Sequence, residues 1–175
     1  MPLAIDSAAA VDRLLRFLSV EGITGQEANI GKEIVAALTE AGVPASAIRY
    51  DDANTRIPAP TQTGNIIVDL PGTLDAPRIL FMTHMDTVPL CAGAKPRLAG
   101  KKVVNDAATA LGGDNRTGCA VLVTLAAELL RRGAGLTAIG QVLRHQDLAT
   151  TALYAKVDLD TLRGVAQPWP TAVTA

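Results

Sequence analysis

The sequence predicts an α/β protein with a short helical segment at its C-terminal end. Two early segments carry apolar residues at helical spacing, apolar runs typical of strands follow them, and a longer helical pattern comes next. Of the 175 residues, 49% are hydrophobic but only 3% are aromatic, so we expect a core packed mainly from aliphatic side chains. A chain of this length buries roughly 70% of its unfolded surface on folding, which suits one domain with a small appendage.

Two amphipathic helices are predicted first. The stretch "DSAAAVDRLLRFLSV" has one apolar face, and Asp6 or Ser7 is available as the N-cap. That face is formed by Val11, Leu14, Leu15 and Leu18. The stretch "QEANIGKEIVAALTEAG" has a similar face, and Gly42 can end the second helix. Its apolar positions are Ile30, Ile34, Leu38 and Ala41.

Three strands and a third long helix are predicted downstream. "AIRYDDA" is predicted as a short strand, and "NIIVDL" and "RILFMTH" as two further strands. The last of these is apolar on both faces, which is typical of a central strand. "TGCAVLVTLAAELLRR" is apolar over most of a helical circumference, and Gly133 can cap it. This order of elements indicates the α/β class.

Charge and the length of the apolar runs argue against several classes of protein. The net charge of −1 argues against a globally nucleic-acid-binding chain. The N-terminus has no basic segment followed by an uninterrupted apolar stretch, and "CAVLVTLAAELL" is too short to span a bilayer. We therefore expect neither a signal peptide nor a membrane partner. Two cysteines, Cys91 and Cys119, without secretory context favour a reducing cytoplasm, although a disulfide between them stays open.

One histidine and two aspartates are candidates for a metal site. Side chains at i and i+2 of a strand point the same way, so His84 and Asp86 can reach one site where the third predicted strand ends. Asp114 follows two glycines and precedes a helix, which places it on a loop bordering the same crevice. An imidazole is a good zinc ligand, and a neighbouring carboxylate can fix its tautomer. The alternatives are a hydrogen-bonded His-x-Asp pair and an aspartate that only caps the helix.

The sequence segments around these residues resemble those of a known protein family. "GNIIVDLPGT", "PRILFMTHMDTVP" and "TALGGDNRTGCAVLV" occur in the same order in the zinc-dependent M20 peptidases, and residues 5–132 resemble especially the peptidase T (tripeptide aminopeptidase) branch. The resemblance implies a three-layer αβα zinc-exopeptidase fold, two zinc ions and short peptides as substrates. It further implies that His84 binds one zinc, that Asp86 orients this histidine, and that Asp114 bridges both metals.

The chain departs from that family in one respect that matters for activity. In the family, an adjacent Glu-Glu pair follows this helix and the next strand. One glutamate of the pair is the general base and the other is a metal ligand. A further acidic ligand and a second histidine come later in the sequence. After Asp114 this chain has no Glu-Glu pair but only the isolated Glu128, and its only other histidine is His145. We therefore expect at most one weakly held zinc ion and no hydrolysis by this chain alone.

A different resemblance begins after Gly133. Three short helical patterns follow one another there, and "AIGQVLRHQDLATTALYAKVDLDTLRGVAQPWP" is similar to the C-terminal end of a tyrosine recombinase or phage integrase. In that family a histidine precedes the nucleophilic tyrosine by nine residues, as His145 precedes Tyr154. The resemblance implies that Tyr154 attacks a DNA phosphodiester while His145 stabilises charge on the phosphate. The alternative is a half-buried helix tyrosine and a surface histidine.

The recombinase site is also incomplete in this sequence. The family's two active-site arginines, its lysine and its His-x-x-Arg box belong upstream of the matching segment, and the chain has no third histidine to supply that box. We therefore interpret residues 1–132 as the N-terminal part of an M20-type catalytic domain and residues 133–175 as the C-terminal fragment of a tyrosine recombinase. DNA is a partner expected through this tail.

Two alternatives to a fused, truncated aminopeptidase stay open: a DNA recombination protein, and a non-catalytic metal-binding module or a product of gene fusion or misassembly. The join falls near "LLRRGAGL" and cannot be assigned to one residue. A truncated α/β domain leaves a sheet edge and an apolar helix face without their usual cover, which predicts aggregation or oligomers.

Overall fold

Three α-helices and two small antiparallel sheets form the described part of the chain, which a computed structural model places for residues 5–70, 75, 77 and 79–132. The helices are α1 (Ser7–Ser19), α2 (Ala28–Glu40) and α3 (Gly113–Arg132). The strands are β1 (Ile48–Tyr50), β2 (Ile66–Val68), β3 (Pro96–Ala99) and β4 (Lys102–Asn105). The mixed α/β class predicted from the sequence is confirmed. The predicted helical tail over residues 133–175 lies outside the described residues.

The two N-terminal helices begin and end close to the residues that the sequence predicts. The Asp6 side chain accepts a 3.0 Å hydrogen bond from the backbone nitrogen of Ala9, so Asp6 is the N-cap of α1. Helix α2 ends at Glu40, and Gly42 follows it with φ of 90°, a conformation that favours glycine. Both helices therefore follow from local sequence signals.

The core lies where α1, α2 and α3 meet. Its buried members come from all three helices and the turn after α2: Phe17, Ile30, Ile34, Ala37, Leu38, Val43, Cys119, Ala120, Val123 and Ala126. Strands β1 and β2 pair antiparallel and pack partly buried side chains, including Ile48 and Ile66, against this cluster. Phe17 is fully buried, and burial of such a side chain contributes about 1.5–3 kcal/mol. None of the described helices is long and apolar enough to cross a membrane.

The prediction of a central strand over "RILFMTH" is wrong. Residues 79–84 belong to neither sheet of the described structure, and the side chains of Leu80 and Met82 are 73% and 75% exposed. Burial still alternates along this segment, with Ile79 and Phe81 half-buried. An apolar run becomes a central strand only where partner strands lie on both sides, and the local pattern carries no information about those partners.

The sequence reading missed the hairpin formed by β3 and β4. Ala99 pairs with Lys102, so a two-residue turn of Gly100 and Lys101 connects the strands. Gly100 has φ of 62°, which a tight hairpin turn commonly requires and glycine adopts at low cost. The charged residues Arg97 and Lys102 interrupt the apolar alternation, which is why the strands escape a search by pattern. The glycine turn was the usable signal.

Candidate functional site

His84, Asp86 and Asp114 lie together at one end of the extended segment. The Nδ1 atom of His84 is 3.2 Å from both Oδ1 and the backbone oxygen of Asp86. The Nε2 atom of the same ring is 3.1 Å from Oδ1 of Asp114. Each ring nitrogen therefore faces a carboxylate, and the two carboxylates lie on opposite edges of the imidazole.

The loop between α1 and α2 fixes the position of Asp86. Ile23 and Thr87 form a parallel β-bridge, in which the backbone nitrogen of Thr24 donates to Thr87 O and that of Thr87 donates to Gly22 O. The Thr24 hydroxyl then donates a 2.6 Å hydrogen bond to Oδ2 of Asp86. Thr24 is thus a member of the site that the sequence reading missed. No local motif indicates it, because the contact joins residues 62 positions apart.

Asp114 lies at the start of α3 but does not supply its cap. Asp114 and Asn115 have non-helical backbone angles, so regular helical geometry begins at Arg116. Oδ1 of Asn115 accepts a 2.9 Å hydrogen bond from the backbone nitrogen of Gly118. Asn115, rather than Asp114, therefore caps the helix. The Asp114 side chain is 93% exposed and its Oδ1 lies beside His84.

The two carboxylates change the protonation of His84. Partial burial acts to lower the pKa of the imidazole, but the hydrogen bond with Asp114 and the contacts with Asp86 act to raise it. The net result is a raised pKa. Because 52% of the His84 side chain is exposed, solvent screens these interactions. A raised pKa means that a metal ion must compete with a proton at this nitrogen more strongly than it would at an isolated histidine.

Two side chains of α3, those of Cys119 and Arg116, donate hydrogen bonds to backbone oxygens of the segments that form the site. The thiol of Cys119 donates to the backbone oxygen of His84 at 3.3 Å, and burial raises the pKa of this thiol. Arg116 is 1% exposed and donates from Nη2 to Gly22 O at 3.1 Å, and burial lowers the pKa of its guanidinium. Cys91 and Cys119 are both free thiols, so the disulfide that the sequence left open is not formed.

The described residues fit only part of a zinc centre. Catalytic zinc ordinarily takes three protein ligands and a water molecule. Here His84 Nε2 and the Asp114 carboxylate face each other, but Asp86 lies on the other edge of the ring and cannot share an ion with Nε2. No group of three or more potential ligands exists among the residues that the structure describes. These residues therefore do not form the two-zinc centre, and no hydrolytic step through a metal follows from them. His145 and Tyr154 lie outside the described residues.

Two solved structures share this fold. A tripeptidase from Staphylococcus aureus superposes with a TM-score of 0.65 at 20% sequence identity, over 75% of this chain and 34% of that one. The aminopeptidase PepT from Bacillus cereus superposes with a TM-score of 0.63 at 28% identity, with the same coverage. The likeness to the tripeptidase, at 20% identity, shows the fold alone. The likeness to PepT, at 28% identity, is also a similarity of sequence.

Comparison of sequences gives two further relatives. The uncharacterized protein YqjE of Bacillus subtilis is 30% identical over 118 residues, which are 67% of this chain and 30% of that protein. A protein named as an integrase/recombinase, y4rA of Sinorhizobium fredii, is 63% identical over 46 residues, which are 26% of this chain and 11% of that protein. No protein-family model matches the chain.

The chain thus spans about a third or less of the length of each of these proteins. The 46-residue match is similar in length to the segment of about 43 residues that resembles a recombinase in sequence. The structural neighbours of the chain are M20-family peptidases, and a shorter part of it is closely similar to an integrase/recombinase, as the two resemblances in the sequence predict.

Proposed function

We propose that residues 1–132 are a metal-binding portion of an M20-type aminopeptidase domain, which holds one Zn²⁺ weakly and does not hydrolyse peptides by itself. The observation that supports this proposal is the distance of 3.1 Å between His84 Nε2 and Asp114 Oδ1. A proton joins these two atoms in the absence of metal, and a zinc ion would replace it as the shared partner. Asp86 on Nδ1 would hold the ring in the required orientation.

The sequence after Asp114 has no counterpart of the family's Glu-Glu pair, which argues against hydrolysis by these 175 residues. A base must lie within hydrogen-bond reach of the attacking water, directly or through one further water. Glu128 is the one glutamate that follows Asp114 in the sequence, and it lies fourteen residues further along α3, or roughly 20 Å along the helix axis. Its carboxylate is buried and pairs with Arg131 at 2.6 Å. Glu128 therefore cannot replace the Glu-Glu pair of the family.

Zinc titration of the full chain tests this proposal. We expect measurable, weak binding by the wild type and its loss in His84→Ala and Asp114→Ala. Asp52→Ala is the matched control, because Asp52 pairs with Arg56 on the surface and removal of its carboxylate changes the net charge equally. Equal zinc affinity in His84→Ala and wild type would contradict the site. Turnover of a tripeptide substrate by the wild-type chain would contradict the proposed inactivity.

A second candidate function is DNA binding or recombination, which the 63% identity to y4rA favours. On this hypothesis the recombinase-like tail of residues 133–175 binds phosphates, and Tyr154 and His145 occupy the family's catalytic positions. Binding through phosphates falls steeply between about 50 and 200 mM salt. The test is salt-dependent binding of the full chain to duplex DNA, with a search for a covalent complex in the wild type and in Tyr154→Phe. A covalent complex that disappears in Tyr154→Phe would establish recombinase chemistry.

The two-part organisation is itself a proposal that can be tested at the level of the gene. Long-read sequencing of DNA and transcript across the codons for residues 125–140 shows whether the two parts share one reading frame. An in-frame join means a fusion gene. A join that separates into two frames or two loci means that an aminopeptidase and an integrase must each be studied in full.

A further inference from the structure

Arg116 of α3 forms a hydrogen bond with the loop between α1 and α2. Its Nη2 atom donates to the backbone oxygen of Gly22 at 3.1 Å, and the side chain is 1% exposed. Regular helical geometry in α3 begins at Arg116, two residues after Asp114. Arg116 therefore connects the end of α3 that carries Asp114 to a carbonyl 94 positions away in the sequence.

The segment that carries Asp86 binds the same carbonyl. Gly22 O accepts from the backbone nitrogen of Thr87 at 3.0 Å and from the Thr87 hydroxyl at 3.4 Å. The backbone nitrogen of Thr24 donates to Thr87 O at 2.9 Å, and the Thr24 hydroxyl donates to Oδ2 of Asp86. The Gly22 carbonyl thus joins the helix of Asp114 to the loop that holds Asp86.

Ion pairing does not account for the buried charge of Arg116. Its guanidinium forms no ion pair with any residue that the structure describes. Glu27 is also buried, and its Oε2 has no hydrogen-bond partner in the described part of the chain, but it does not pair with Arg116. Burial lowers the pKa of the guanidinium, and the charge of Asp86 is among the influences that oppose this shift. Arg116 therefore attracts Asp86 without forming an ion pair with it.

The stability of the fold alone does not require this charge. Replacing buried ionic groups by well-packed apolar residues of similar volume is often neutral or stabilising. Methionine has an unbranched side chain that adapts to irregular space, and Gly22 O would keep its bond from Thr87 after Arg116→Met. The substitution would remove the hydrogen bond between α3 and the loop. Its main consequence should therefore concern the placement of these two segments.

We propose that Arg116 is a positioning residue for the pair of His84 and Asp114. Its bond to Gly22 O sets the placement of Asp114 relative to Asp86, which orients the imidazole. The inference rests on the proposed zinc binding by this pair. One donor of Arg116 carries the role, because Nε and Nη1 have no hydrogen-bond partner among the described residues. Arg116→Lys keeps a donor on a long side chain and should therefore preserve the role.

Zinc affinity and thermal unfolding of the full chain test the proposal together. We expect Arg116→Met to bind zinc about tenfold more weakly than the wild type, and Arg116→Lys to retain most of the affinity. The Tm of Arg116→Met should lie within about 4 °C of the wild-type value. Arg56→Met is the matched control: it removes an exposed guanidinium that pairs with Asp52, and it should change neither quantity. Ile34→Val trims the buried core and should lower the Tm without changing the zinc affinity.

A double variant tests whether Arg116 acts through the loop. Thr24→Val removes the hydroxyl that the loop offers to Asp86. If both residues act through this loop, the double variant Arg116→Met and Thr24→Val should lose about tenfold in zinc affinity, and not the roughly hundredfold of two independent losses. Losses that multiply would overturn the proposed route.

Amide hydrogen exchange in EDTA gives a measurement that needs no zinc. The amides of Thr24 and Thr87 should exchange about tenfold faster in Arg116→Met than in the wild type, while that of Leu38 in the core should keep its rate. A wild-type chain that binds no zinc would refute the proposed function, and the exchange rates would still decide whether Arg116 positions the loop. Equal exchange at Thr24 and Thr87 would overturn the proposal. A fall in Tm of more than about 10 °C in Arg116→Met would do so too, because Arg116 would then serve the fold as a whole.

Discussion

Thr24 donates a 2.6 Å hydrogen bond from its hydroxyl to Oδ2 of Asp86, and the other carboxylate oxygen of Asp86 faces Nδ1 of His84 at 3.2 Å. A loop between two helices thereby fixes the orientation of an imidazole that belongs to a distant segment. The far nitrogen of that imidazole faces Asp114. The four side chains form one hydrogen-bonded series in which only the last two can contact a metal ion.

The substitution Thr24→Val should weaken zinc binding by about tenfold, because outer partners of metal ligands commonly contribute 10–100-fold to affinity. Valine has the shape of threonine but lacks the hydroxyl, so Asp86 loses the donor that orients it. Thr24→Ser keeps the hydroxyl and should retain most of the affinity. The measurement is a competition titration with a fluorescent zinc chelator. Equal affinities for Thr24→Val and wild type would show that the Thr24 hydroxyl does not position the site.

The substitution Gly22→Ala should destabilise the fold by about 1–3 kcal/mol, the usual cost of overpacking. The new methyl group would meet the side chain of Ile30 at 2.5 Å, and Ile30 is fully buried and cannot move aside cheaply. Gly31→Ala is the control. The nearest atom to its added Cβ would be the Tyr50 hydroxyl at 3.6 Å, so the substitution in α2 should stabilise by about 0.5–1 kcal/mol. Urea unfolding of the two variants distinguishes these opposite signs.

Asp51 should make the fold sensitive to acid. Its carboxylate accepts hydrogen bonds from the side chain and backbone of Asn65 and from the backbone of Ala53, and these bonds lower its pKa. A carboxyl whose folded pKa is depressed contributes stability that is present above its unfolded value of 3.8 and is lost as pH falls through the lower folded value.

The urea midpoint of Asp51→Asn should therefore lie below that of the wild type near pH 7 and approach it in acid, as the pH falls below the unfolded pKa of 3.8 and through the lower folded pKa of Asp51. Asp52→Asn is the control, because Asp52 makes only an exposed ion pair with Arg56. It should shift the midpoint little at either pH. A difference between wild type and Asp51→Asn that stays constant across this range would contradict the role given to the Asp51 charge.

The fold could be predicted from the sequence where structure is local. The apolar spacing and Asp6 cap of α1, and the glycine after α2, are signals contained within one helix and its flanks. Residues 79–84 failed as a predicted strand because strand pairing depends on distant residues. The sequence pattern does not reveal hairpin β3–β4, because the charged residues Arg97 and Lys102 interrupt the alternation of apolar residues, which leaves the glycine turn as the local signal.

The candidate site, like the fold, could be predicted only where its determinants are close together in the sequence. The spacing of His84 and Asp86 alone predicts that they can share a site. The two glycines before Asp114 and the helical pattern after it predict a loop beside that site. The structure brings these side chains together, while their roles as ligand and orienting group stay predictions. Thr24 contacts Asp86, and Gly22 accepts from Arg116 of α3, so the loop between α1 and α2 adjoins the site through contacts that no short motif encodes. The orphaned donors of Arg116 can be recognised only after the helices are packed.

The exposed segment of residues 79–84 should cause the chain to self-associate. Leu80 and Met82 lie on the outer face of an extended stretch without a strand partner in the described part of the chain. Unpaired extended backbone with an apolar face favours pairing with another chain. We expect oligomers at micromolar concentration in sedimentation velocity. The double substitution Leu80→Lys and Met82→Lys should shift the distribution towards monomer, because charged side chains disfavour edge pairing.

Ile57→Lys, which adds charge at another exposed apolar residue, should leave the oligomers in place. A monodisperse wild-type monomer would mean that the face of Leu80 and Met82 is covered within the same chain.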